Sequence, residues 1–376
     1  MASGFDPNSG RYAIDDAAVR VPYTNDEKRS PMSRVLTPKR THAALMMGAL
    51  MLPGLVKAQQ DPAAEGYYPV PTRGDFIGQD YEVIANKDDT LLDIAREHKV
   101  GYEEIRSANP EVSIWVPGEG TSVTIPRRHI LPDVERKGVV INIAELRLYY
   151  YPETDEGQPS RVATYPIGIG REGYDTPLGI TQTTMRLEQP AWYPPSSMRE
   201  EAAERGDPPP EVVPPGPDNP LGEYAILLDI PGYLIHGTNQ PDGIGMRASR
   251  GCIRMYPEDI ESVFDEVPTN TQVNIIDHPI KVGEDEQGNS YFQVFKSVEG
   301  VEPGIEQLED MLVTRGVIEE QGGGLLDKVR LLPHFAEPDD QIRSLSSFYQ
   351  AVIEPPVETE VMTVYRLMDE PAAASC

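Results

Sequence analysis

Between Tyr81 and Ile125 the apolar positions change rhythm every few residues. Tyr81-Glu-Val-Ile84 reads as a short strand. Thr90-Leu-Leu-Asp93 has capping-box spacing and opens a helix with Leu91, Ile94 and Ala95 on one face. Tyr102 to Ala108 predicts a second helix around Ile105, ended near Asn109-Pro110, and Ser122 to Ile125 a closing strand after the turn Val116 to Gly120. From Gly138 the period becomes that of strands. Val139 to Ile143 and Leu146 to Tyr151 flank a tight Ala-Glu turn. Thr164–Ile167, Ile180–Met185, Tyr224–Asp229, Tyr233–Ile235 and Gln272–Ile276 continue in kind. One helix interrupts, Pro257 to about Glu266, with Pro at its first position and Ile260, Val263 and Phe264 facing in. Many short strands at close spacing predict a mainly β domain, a β-sandwich or barrel-like sheet.

Two other stretches break the pattern. Pro190 to Pro220 holds ten prolines, with Trp192, Tyr193 and a possible short helix around Arg199–Arg205. Sequence on both sides belongs to one sheet, so this insertion reads as a stiffened lid. Trp192 either shields a reactive centre from water or merely anchors the loop. After Pro279 the signal thins to a strand at Tyr291–Phe295, an amphipathic helix at Gly304–Arg315, a break at Gly322–Gly324 and a last strand around Val361–Leu367.

At the other end, residues 1–31 are polar. Arg34, Lys39 and Arg40 then precede the apolar run Ala43 to Val56, closed by Lys57-Ala58 and Gln59-Gln60. This is the pattern of a signal peptide cleaved after Ala58, with Met32 as an alternative start, and the run is short for a membrane span. The expected division is 1–58 leader and signal peptide, 59–78 linker, 79–127 a small βααβ module, 136–279 the main domain with its lid at 190–220, and 280–376 a mixed C-terminal extension. The expected location is the periplasm.

Charge narrows the partners. A formal net charge of −28 argues against nucleic acid. Against that background, Tyr233 to Tyr256 carries Arg247, Arg250 and Arg254 and the single acid Asp242. The same stretch holds Cys252, one of two cysteines, preceded 16 positions earlier by His236, one of six histidines. A histidine in reach activates a thiol by taking its proton or by holding the thiolate in an ion pair, and neighbouring arginines lower the thiol pKa. Gly251 permits a sharp turn and could leave amide N–H groups free for an oxyanion. The alternative is a buried structural Cys beside a satisfied core His. One Cys and one His fall short of a zinc ligand set, and no cofactor is implied. A single working thiol in an exported protein calls for an external thiol reductant, and Cys376 makes no disulfide framework with it.

His236-Gly-Thr238 followed by Ser249-Arg-Gly-Cys252-Ile-Arg254 resembles the signature of the L,D-transpeptidases of the YkuD type, in the ErfK/YbiS branch. Arg147–Pro152, Pro166–Gly170, Thr176–Gly179 and Gly216–Gly222 add to the likeness, which spans about Gly138 to Pro279. Arg250 stands where many members have His. Residues 79–127 resemble a LysM module, with Asp89-Thr90-Leu91, Ile94-Ala95 and Asn109-Pro110 in the matching places and Asp88 where Gly is usual. The resemblance implies a β-sandwich catalytic domain beside a peptidoglycan-binding module. It also implies a Cys252 thioester with His236 as base, the Gly237 carbonyl steadying the imidazole, and release of D-Ala from a tetrapeptide stem. The acyl group would pass to another stem in a 3→3 cross-link or to the lysine of an outer-membrane lipoprotein. Arg254 and Arg247 are candidates for holding stem carboxylates, and Thr238, Ser249, Gly251, Tyr224 and Trp192 for lining the site. A non-catalytic wall-binding protein, or a hydrolytic cysteine peptidase or L,D-carboxypeptidase, would carry some of the same features.

Overall fold

A computed structural model describes residues 66–350, apart from 156, 157, 159, 172, 207, 299, 301 and 320–325. The leader and signal-peptide reading, Met32, the strand expected around Val361–Leu367 and Cys376 lie outside the described residues.

The main domain is built on one nine-stranded sheet in the order Tyr68–Pro69, Arg161–Pro166, Arg147–Tyr151, Gly138–Asn142, Gln272–Ile276, Gly179–Glu188, Tyr224–Leu228, Leu234–His236, Ile253–Arg254. The strand Gly179–Glu188 explains why this is a single curled sheet and not the two facing sheets of a sandwich. Its first half pairs with Gln272–Ile276 and its second with Tyr224–Leu228, with a register shift between Thr183 and Met185. A bulge of this kind bends a strand, so that the sheet turns on itself. Residues from both halves, Val139, Ile141, Leu148, Ala163 and Val273 on one side and Ile226, Leu228, Ile235 and Ile253 on the other, therefore share one core. The helix Pro257–Glu266 closes it with Ile260 and Val263, and Phe264 packs at its edge.

Strand periodicity divides the other face as well. In Arg147–Tyr151 every side chain is buried, Leu148 and Tyr150 toward the main core and Tyr149 and Tyr151 toward a second cluster with Tyr68, Ile77, Leu131, Val140 and Val162. This corrects the reading of 59–78 as a linker for its described part. Tyr68–Pro69 pairs with the sheet edge and Phe76–Ile77 with His129–Ile130, because Tyr68 and Ile77 supply apolar surface the sheet needs on that face.

The βααβ unit forms as expected: Tyr81–Ile84, Leu91–Glu97, Tyr102–Ala108 and Ser122–Ile125 around Leu91, Ile94, Ala95, Ile105, Val123 and Ile125. Thr90 and Asp93 make the reciprocal cap the sequence announced. The unit is joined to the main domain by polar contacts. The Arg96 guanidinium donates to both oxygens of Glu258 at 2.9 Å, Lys99 pairs with buried Asp259 at 3.1 Å, and fully buried Arg147 holds Glu104 at 2.7 Å. At the C-terminal side, Ile280–Glu284, Ser290–Val294 and Arg343–Ser344 form a three-stranded sheet. It is covered by the helices Ile305–Thr314 and Lys328–Ala336, over a core of Phe292, Leu308, Leu312, Leu331 and Phe335.

Candidate active site

Two neighbouring strands set the site. Leu234–His236 runs parallel to Ile253–Arg254, with Ile235 opposite Ile253 and His236 opposite Arg254. Alternation sends Ile235 and Ile253 into the main core, so His236 and Arg254 share the other face. Cys252, two positions before Arg254, falls on that face too. His236, Cys252 and Arg254 all line one cavity of about 280 Å³.

The imidazole is oriented by its own backbone. His236 Nδ1 lies 2.6 Å from the carbonyl oxygen of Gly237, which can only accept, so Nδ1 carries the proton and Nε2 is the basic nitrogen. Burial, with help from the Arg254 charge, pushes the imidazole pKa down to about 4, against the pull of the Gly237 and Leu221 carbonyls. The Cys252 thiol is half-buried, and burial pushes its pKa up, opposed by the Leu234 N–H and the Arg254 charge. Both shifts favour a resting pair of neutral imidazole and neutral thiol.

The turn that presents the sulfur is held from several sides. Gly251 has φ of +102°, and a Cβ there would come within 2.9 Å of the Tyr233 ring. Ser249 Oγ donates to the Cys252 carbonyl at 2.6 Å and accepts from the Gly251 N–H at 3.2 Å. Thr176 Oγ1 donates to the Gly251 carbonyl at 3.0 Å. Of the amide N–H groups expected to be free for an oxyanion, that of Gly251 is committed to Ser249. Ser249 itself acts on the turn through two hydrogen bonds to backbone.

The proline-rich insertion forms one wall. Trp192 exchanges both backbone hydrogen bonds with Val213 at 2.9 Å, and Trp192, Tyr193, Pro195, Met198 and Pro220 line the cavity with Leu221 and Tyr233. The short helix Ser196–Glu204 lies over the turn, where Glu201 pairs with Arg250. Three sequence candidates sit elsewhere. Arg247 donates to the Val298 carbonyl at 3.0 Å and faces a different cavity, shared with Glu103 and Arg106 of the βααβ unit. Thr238 Oγ1 is spent on the Gln240 N–H at 3.0 Å. Tyr224 packs at a tilt against Phe264, with ring centroids 4.8 Å apart. Strand phase accounts for Tyr224, whose neighbour Ala225 stands opposite His236, whereas Arg247 belongs to a separate two-stranded sheet with Ile169–Gly170 and Thr238 lies past the end of its strand. Sequence reasoning gave no site role to Tyr174, Thr176, Glu201 or Tyr233, whose roles depend on partners far away in the chain. Among the described residues no cluster of His, Cys, Asp and Glu could hold a metal ion.

Residues 136–275 match the family described as the YkuD L,D-transpeptidase catalytic domain. The chain is 42% identical over 231 residues to a protein of Escherichia coli K12 described as the probable L,D-transpeptidase ErfK/SrfK, covering 60% of this chain and 73% of that one. It is 44% identical to the same organism's YcfS over 62% of this chain and 73% of that one, and 40% identical to YbiS over 66% and 80%. This chain belongs to the YkuD L,D-transpeptidases. As an L,D-transpeptidase it is an enzyme of a family that acts on peptidoglycan.

Proposed function

We propose that this transpeptidase works in the periplasm on tetrapeptide stems, through a thioester on Cys252. Neutral His236 takes the thiol proton at Nε2 as the sulfur attacks the carbonyl between the L-centre of diaminopimelate and D-Ala. The C–S bond forms, the C–N bond breaks, and the imidazolium returns the proton to the departing D-Ala amine. An acceptor amine then attacks the thioester, giving up its proton to His236 while the thiolate leaves and is reprotonated. The acceptor is a second stem or a lipoprotein lysine. Of the two ways a histidine activates a thiol, the general-base route suits a pair whose neutral forms are both favoured. Arg254 is the stem-carboxylate contact, Gly237 fixes the tautomer, and Trp192 keeps water from the thioester. The βααβ module holds the glycan, with Trp115, 66% exposed between its second helix and closing strand, as an apolar platform.

What carries the reading is one observation: His236, Cys252 and Arg254 face the same apolar-walled cavity from adjacent strands. The test is mass spectrometry of reduced protein with disaccharide-tetrapeptide. An acyl-enzyme on Cys252, loss of D-Ala and a cross-linked dimer are expected, all absent in Cys252→Ala. A purely hydrolysed tripeptide product would replace transpeptidation by carboxypeptidase action. Unmodified Cys252 would end the thioester reading.

A further inference from the structure

Two arginines flank the nucleophile, each two residues from it, and both line its cavity. They differ in occupancy. Arg254 has a buried Nε that finds no partner, and no carboxylate pairs with it among the described residues. Arg250 already holds a carboxylate. Its Nη2 lies 2.5 Å and its Nη1 3.2 Å from the two oxygens of Glu201, on the insertion helix Ser196–Glu204. Tyr174 OH completes the arrangement, donating to Glu201 Oε1 at 2.8 Å and accepting from Arg250 Nη1 at 2.9 Å. The Arg250 guanidinium also lies 4.5 Å from the centre of the Tyr174 ring. This is a forked site for one carboxylate, with a hydroxyl at its side.

We propose that Arg250 and Tyr174 form a carboxylate subsite for the amine that attacks the thioester, and that Glu201 fills this subsite until that acceptor displaces it. The inference rests on the transpeptidase chemistry proposed above and assigns the acceptor class: an amine with a neighbouring carboxylate. Order of binding separates the two arginines. The acyl donor meets the enzyme first and needs an open contact, which unpaired Arg254 provides. The acceptor comes second, when the thioester must be kept from water. A second carboxylate can take the forked, two-bond geometry that Glu201 occupies, which a single water cannot reproduce. Displacement is also inexpensive on the protein's side. The helix bearing Glu201 buries only Ala202 and has no side-chain cap, so little besides this ion pair and the wall contacts of Met198 fixes it. Because Arg250 first and Tyr174 next hold the Glu201 carboxyl down to about 2, protonation does not release it at any pH where the enzyme works. Competition does.

The experiment uses the full-length reduced protein with tetrapeptide donor and, as acceptors, D-methionine or D-methioninamide, which lacks the carboxylate. KM is measured for each by mass spectrometry of the exchange product, and the Cys252 acyl-enzyme is recorded in parallel. The wild type is expected to favour the carboxylate acceptor roughly tenfold or more in kcat/KM. Glu201→Gln should lower KM for D-methionine severalfold, leave KM for the amide unmoved and raise the share of hydrolysis. Arg250→Gln should bring the two acceptors to parity. Wild-type discrimination that survives Arg250→Gln, or a D-methionine KM that Glu201→Gln fails to lower, overturns the proposal while an observed acyl-enzyme leaves the thioester reading intact. Absence of any acyl-enzyme removes both.

Discussion

Arg254 stands directly opposite His236 across two parallel strands, and its positive charge adds to burial in holding the imidazole neutral down to about pH 4. One arginine therefore acts on both members of the proposed reactive pair, since it also draws the thiol pKa downward against burial. Arg254→Gln should raise the His236 pKa toward its ordinary value and raise the thiol pKa further. The acid limb of Cys252 acylation by the tetrapeptide donor, set by protonation of the base, should move up in pH by about one unit. Acylation rates between pH 3.5 and 8 check this, and an acid limb that stays in place would remove Arg254 from control of the base.

The same shift makes a stability prediction. A histidine whose folded pKa lies below its unfolded value of 6.5 takes up a proton more readily when the chain unfolds. Its contribution is present in full above pH 6.5 and is lost as the pH falls toward 4. Between pH 7.5 and 5.0 this group should cost the wild type about 2 kcal/mol of unfolding free energy. Urea titrations of wild type and His236→Gln at both pH values isolate the share. Equal losses in the two proteins would contradict a neutral buried imidazole.

Much of this architecture is legible in the amino-acid order, for reasons tied to local physics. The Thr90–Asp93 cap and the helix Tyr102–Ala108 depend on near neighbours, and Ser122–Ile125 and Gln272–Ile276 carry strand-like apolar patterns of their own, so their residues announce them. His236 and Cys252 stand out by rarity and by the glycines and arginines around them. What stayed hidden depends on pairing across the chain. The helix Lys328–Ala336 starts at the Asp327 cap but carries Pro333 in its interior, which argues against a helix when read locally. Buried Asp259 lies among the inward positions of Pro257–Glu266, and its charge is paired with Lys99 from another unit. Arg247, Thr238 and Tyr224 are near Cys252 in sequence or in sheet order, yet strand phase turns Tyr224 away, a separate small sheet carries Arg247, and Thr238 falls in the loop after its strand. Glu201 is tied to Arg250 across 49 positions.

The glycines between His236 and Cys252 have a second use, which yields the next prediction. Gly245 has φ of +82°, and a Cβ there would meet the Tyr102 nitrogen at 2.2 Å. Tyr102 N–H donates to the Ile244 carbonyl at 3.0 Å, so this close approach seats the βααβ unit on the loop. Gly245→Ala should cost about 2–3 kcal/mol through backbone strain and a lost contact. Hydrogen exchange should show faster opening along Gly101–Ala108 than in the core strands. Unchanged exchange there would mean that Arg96–Glu258 and Arg147–Glu104 suffice to dock the unit.

A buried pair joins the C-terminal sheet to the main domain. Lys281 Nζ lies 2.6 Å from Glu145 Oε1, both side chains are almost fully buried, and Tyr149 OH donates to the same Glu145 oxygen at 2.5 Å. Desolvation lowers the Lys281 pKa, and the Glu145 charge is the main force opposing it. Such a pair contributes little net stability over a well-packed apolar replacement, but removing one partner strands the other charge. Lys281→Met should therefore cost about 3–5 kcal/mol, because the Glu145 carboxylate then keeps two neutral hydrogen-bond partners, the Tyr149 hydroxyl and the Asn142 amide, while nearby Arg147 is held by Glu104. The double variant Lys281→Met, Glu145→Leu should recover most of that loss, giving a favourable coupling of 2 kcal/mol or more, an order-of-magnitude expectation for groups in contact. Denaturant unfolding of the two singles and the double measures it. Additive losses would mean that each residue is held by its own surroundings, and that the C-terminal sheet docks through its apolar contacts alone.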